Sequence, residues 1–79
     1  MPTIKRFSRC RIEVRSNEHP PPHFHVVTNS GEDGAYLIET AELWMGEPDP
    51  RDTREALEWA QRWPGELRRE WQRLNEQEP

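Results

Sequence analysis

All three histidines of this 79-residue chain fall within one stretch, NEHPPPHFHVV, residues 17–27, and three prolines separate the first from the second. Histidine exchanges protons near neutral pH and is a common metal ligand, so His19, His23 and His25 are the residues most able to do chemistry. Three readings are open. In the first they bind a metal. An H-F-H run in a strand puts two imidazoles on one side about 6–7 Å apart along the backbone, a usable spacing for two ligands of a Zn²⁺ ion. His19 is the obvious third ligand, although polyproline advances about 3 Å per residue and leaves it about 12 Å away unless the chain bends. A cis proline would supply the bend.

In the second reading His23 and His25 act as general acid and base around a phosphate. Arg11 or Arg15 would bind that phosphate and stabilise developing charge. This is what a metal-independent ribonuclease requires. In the third the histidines are structural: they hydrogen-bond the backbone and lock the proline turn, or serve as polar residues of a half-open sheet face.

The elements that position these residues follow from the hydropathy pattern. CRIEVR alternates, with Cys10, Ile12 and Val14 on one side and Arg11, Glu13 and Arg15 on the other, as a half-buried strand does. HFHVVT alternates again, with Phe24 and Val26 opposite His23, His25 and Val27. IKRF reads as an earlier strand or its lead-in, NSGEDG as a hairpin turn, and AYLIET and AELWM as two further strands. Asp49 reads as a helix N-cap, with Pro50 in the first turn. After it, Ala56, Ala60, Trp63, Leu67, Trp71 and Leu74 recur every three or four residues as one apolar helical stripe. Pro64 lacks the donor that a continuous helix needs, so a kink or split is expected there.

The order predicts one small α+β domain over residues 1–79. Its antiparallel sheet has three to four strands (β-β-β-β-α), and a C-terminal helix, kinked or split near Pro64, packs on one face. Residues 75–79 read as a frayed tail. Ile12, Val14, Phe24 and Val26 should face the helix. His23 and His25 should then face solvent on the other side, sharing that face with Arg11 and Arg15 if the strands pair in compatible register.

Net charge is −4, which weighs against nucleic acid as a bulk partner. Residues 1–30, however, carry five basic against two acidic groups, and residues 31–79 six against thirteen. The basic half surrounds the histidines and is compatible with an anionic ligand. The single Cys10, placed to face inward, fits a reducing cytosol and a packing role. No run reaches membrane-spanning length, and no phosphate-cradling glycine loop or nucleophile elbow is present. Trp59, Trp63 and Trp71 read mainly as core. Four tryptophans nonetheless exceed what a small sheet can cover, so at least one of Trp44, Trp59, Trp63 and Trp71 should lie in an exposed patch, used by a homodimer or a cognate small protein.

MPTIKRF, RIEVRSNEHPPPHFHV and the later LEWA with a downstream Trp71 closely resemble a family of small, mostly bacterial proteins. Its members typically begin Met-Pro-Thr-Ile and carry an Asn-Asp-His-Pro-Pro-Pro-His-Phe-His-Val signature, with Glu18 here in the acidic position. The family is catalogued as a domain of unknown function. The resemblance implies the suspected toxin half of a toxin–antitoxin pair, acting on RNA or another phosphate-bearing target through the His19–His25 segment and controlled by a small cognate protein. The alternative is a non-catalytic interaction module or a Zn-binding one. No cofactor is predicted beyond Zn²⁺ in the metal reading, and the expected location is cytoplasmic, away from membranes.

Overall fold

The computed structural model describes residues 3–76. Five strands form one antiparallel sheet in sequence order: β1 (Thr3–Arg6), β2 (Cys10–Glu13), β3 (His23–Thr28), β4 (Asp33–Leu37) and β5 (Leu43–Met45). Two helices follow, α1 (Pro50–Arg62) and α2 (Pro64–Asn75). The α+β class and the meander are as expected, but the sheet has five strands rather than three to four. Both edge strands are short, and a run of three or four residues offers too few alternations to read as a strand with certainty. β4 also begins earlier than the pattern implied: Asp33 and Gly34 belong to it rather than to the hairpin turn. Gly34 suits that place because a Cβ there would meet the Pro48 ring at 2.6 Å.

The core lies between the sheet and the helices. Ile12, Val14, Phe24 and Val26, the inward residues of β2 and β3 and their extensions, are fully buried, and the Phe24 ring stacks on Tyr36 at 5.6 Å. α1 presents Ala56 and Ala60 to this surface, small residues that let the helix lie close. It starts at Asp49, whose carboxylate accepts a hydrogen bond from the Arg51 backbone N–H at 2.9 Å. Such a cap satisfies a donor that the helix cannot pair internally.

The helix splits at Trp63, immediately before Pro64. Trp63 leaves helical geometry (φ −127°, ψ 53°), although its N–H still reaches the Trp59 carbonyl. The break changes the fate of the tryptophans. Trp71 is buried in the core and Trp59 is half-buried edge-on to Phe7, but Trp63 turns out to 50 % exposure, against the expectation of a core residue. Trp44 is also exposed.

α2 then runs back to the start of β3, and its end is held. Asn75, expected to begin a frayed tail, instead closes α2. Its side chain donates to the Arg15 carbonyl and accepts from the Glu18 N–H, both at 2.9 Å. The Trp71 indole donates to Glu76 at 2.7 Å. Residues 77–79 of the expected tail, and Met1 and Pro2 of the family-like start, lie outside the described residues.

The two tryptophans of α2's approach give a direct contrast. Trp71→Ala should cost about 3–5 kcal/mol, the range for emptying a buried large aromatic site, while Trp63→Ala should cost less than about 1 kcal/mol. Urea denaturation midpoints of the two variants check this; similar losses in both would contradict the packing described.

Candidate functional site

β2 and β3 pair so that Arg11 lies opposite Val27, Ile12 opposite Val26 and Glu13 opposite His25. Directly opposed residues of an antiparallel pair point to the same face. Glu13, His25 and the arginines therefore share the face away from Phe24 and Val26, and on β4 Ala35 lies opposite His25 and Leu37 opposite His23.

These side chains form one hydrogen-bonded chain. Glu13 takes bonds from Arg11 Nε at 2.7 Å and Arg15 Nε at 3.1 Å. Arg15 continues to Asp33 at 2.9 Å. Asp33 accepts from His25 Nδ1 at 3.1 Å, and His25 Nε2 contacts Glu18 Oε1 at 2.8 Å. The same Glu18 oxygen lies 3.4 Å from His23 Nε2, while His23 Nδ1 donates to the Pro21 carbonyl at 2.8 Å. The Pro20–Pro21 peptide bond is cis.

The histidine rings are not solvent-facing as expected. The His23 side chain is 3 % exposed and that of His25 is 12 % exposed. His23 packs against Trp44 of β5 and Trp71 of α2, with ring centroids 4.9 and 5.0 Å away, and its centroid is 5.2 Å from that of His25. His19 is exposed and stands apart. Among the described residues, the group with ligand atoms close enough to share an ion is Glu18, His23 and His25, all within 4.8 Å of one another. Glu18 thus occupies the place that sequence reasoning gave to His19. Arg11 and Arg15 lie on the expected face, but their guanidiniums are already committed to carboxylates.

The electrostatics follow from burial opposed by pairing. Burial alone would raise the Glu13 carboxyl, but hydrogen bonds and charge from Arg11 and Arg15 bring it below its ordinary range. The same opposition holds Asp33 down, through Arg15 and His25. Glu18 is likewise lowered, its burial outweighed by His25 and His23. Cys10 departs upward, chiefly through burial, consistent with packing rather than nucleophilic chemistry.

The proton inventory at the centre is demanding. The Pro21 carbonyl can only accept, so His23 Nδ1 carries a proton; ionised Asp33 can only accept, so His25 Nδ1 carries one too. Both Nε2 atoms then face one carboxylate oxygen. The two Nε2 atoms and the Glu18 oxygen thus converge as a donor set that suits a shared proton or a metal ion.

A family model described as Domain of unknown function (DUF4160) matches residues 10–72. The chain belongs to the DUF4160 family. The match runs from β2 through most of α2, so it includes every residue of the hydrogen-bonded chain. No curated protein and no solved structure shows significant similarity to this DUF4160 chain. No helix among its described residues is long and apolar enough to cross a membrane.

Glu18 and Asp33 were missed by sequence reasoning. Glu18 had a signal, its fixed place beside the first histidine of the signature; Asp33 had none, because it sat in an apparent turn. The depressed carboxylates predict an acid-labile fold. A carboxylate whose folded pKa lies below its unfolded value contributes stability that is fully present above about pH 4.5 and is lost as pH falls through the folded value. Thermal melts should accordingly be nearly flat in this respect above that pH and fall below it. Glu13→Gln should cost about 1–3 kcal/mol at pH 7, since it leaves two guanidiniums underpaired, and should make the acid limb shallower. Identical acid limbs in parent and variant would place the lability elsewhere.

Proposed function

We propose that the protein is a divalent metal-binding domain in which Glu18, His23 and His25 hold one Zn²⁺ ion. The convergence of His23 Nε2, His25 Nε2 and Glu18 Oε1 supports this reading, with both Nδ1 atoms engaged by oxygen acceptors. Two ligands of a tetrahedral Zn²⁺, each at roughly 2.1 Å, lie about 3.4 Å apart. The carboxylate oxygen already lies 2.8 and 3.4 Å from the two ring nitrogens and all three atoms fall within 4.8 Å, so the ligands would have to close in by roughly an ångström around the ion. Metal-bound histidines usually donate their other ring N–H to a carboxylate or backbone carbonyl, which orients the ring and raises its basicity. Asp33 and Pro21 fill those roles.

Three protein ligands leave a fourth position for a substrate or water, the pattern of hydrolytic rather than structural zinc sites. A bound ion would supply Lewis-acid chemistry toward a phosphoryl oxygen. This suits the toxin-like action on RNA or another phosphate-bearing target that the family resemblance implies, and it replaces the metal-independent scheme, in which Arg11 and Arg15 would have to leave Glu13 and Asp33. The chain's own residues orient the imidazoles and exclude water from His23 through the two indoles.

Zn²⁺ at a hundred times its Kd should stabilise the fold by about 2.7 kcal/mol, a rise in melting temperature of about 10 °C or more for a domain of this size. Glu18→Gln and His25→Ala should abolish the rise, and His19→Ala should keep it. Co²⁺ in place of Zn²⁺ should give the visible absorption of a four-coordinate site. Growth arrest on expression and RNA cleavage in vitro, with and without chelator, test the activity. Absence of any Zn²⁺-dependent shift in the parent would end the metal reading; a bound ion without metal-dependent cleavage would leave a non-catalytic module.

A further inference from the structure

β5 is an edge strand made entirely of large apolar residues: Leu43, Trp44 and Met45 are 50 %, 39 % and 52 % exposed. An edge strand offers unpaired backbone donors and acceptors to any extended chain, and proteins commonly guard such edges with charge. The opposite edge is guarded in that way, since β1 carries exposed Lys5 and Arg6. β5 has no charge within it, but it is bracketed by exposed Glu42 and Glu47. Neither carboxylate belongs to an ion pair among the described residues.

The bracket decides between occupants. Antiparallel pairing of β5 with a second copy, with Trp44 opposite Met45, sets Glu42 directly opposite Glu47 of that copy at both ends of the pair. Parallel pairing in register sets each glutamate beside its own equivalent. Like charges so placed destabilise a strand pair. We propose that β5 is a docking edge for an extended segment of a different protein, added as a sixth strand, with an apolar centre and Lys or Arg at both ends. Main-chain bonds would supply affinity, and the apolar side chains and the two glutamates would supply selectivity. The partner would also cover Trp44, whose inner side already lies on His23.

The test uses the full chain without metal and three nine-residue peptides with capped termini. One has alternating Val and Thr at its centre and Lys at both ends, the second has Glu at both ends, and the third is the Lys peptide with a central proline. Calorimetric titration should give binding to the first at least tenfold tighter than to the second, and none to the third. Leu43→Lys and Met45→Lys should each weaken binding at least tenfold with unchanged melts, and a Glu42→Lys, Glu47→Lys double variant should reverse the charge preference. Equal binding of the Lys and Glu peptides, or failure of the Lys peptide to bind, would overturn the proposal. So would a parent that sediments as a dimer which Met45→Lys dissociates, since a second copy would then be the occupant.

Discussion

Everything at the site depends on the register between β2 and β3. Because Glu13 stands opposite His25, one buried carboxylate anchors two arginines on the same face that carries the histidines. A slip of β2 by one residue against β3 would turn Ile12 toward solvent and drive Glu13 into the core, away from His25. The apolar core and the charged face are therefore specified by the same pairing. Neither could be altered alone, and the core's demand for burial protects a polar arrangement with little stability of its own.

The helices finish what the sheet begins. α1 lies close over β2 and β3 because its inner face is alanine. The split before Pro64 lets α2 change course toward the beginning of β3, where Trp71 closes over His23 and Asn75 ties down the chain between Arg15 and Glu18. A continuous helix would have carried Trp63 along the core stripe. The interruption leaves Trp63 outside and brings α2 to the site.

Much of the frame was legible in the sequence. The alternation in CRIEV and HFHV named the buried residues correctly, because strand side chains alternate strictly and these strands have one apolar side. Asp49 and Pro50 announced the helix start, and Pro64 its division. The site was legible only in part. His23 and His25 could be placed on one face, but not buried, since the indoles covering His23 come from β5 and α2, far along the chain. His19 drew attention as the third imidazole, yet the neighbouring Glu18 reaches the cluster while His19 remains exposed. Residue type suggested a ligand; the path of the backbone through the prolines selected which of the two neighbours turns inward.

Those prolines also act electronically. Three consecutive residues without N–H groups make a segment that can accept hydrogen bonds but cannot give them. Pro22 receives the amide of Ile38 and Pro21 receives the ring of His23. The Pro21 carbonyl can only receive, so the hydrogen sits on Nδ1 of the neighbouring imidazole and Nε2 is turned toward Glu18. The course of the backbone two residues away thereby fixes which nitrogen of His23 carries the hydrogen, a property ordinarily credited to side-chain surroundings.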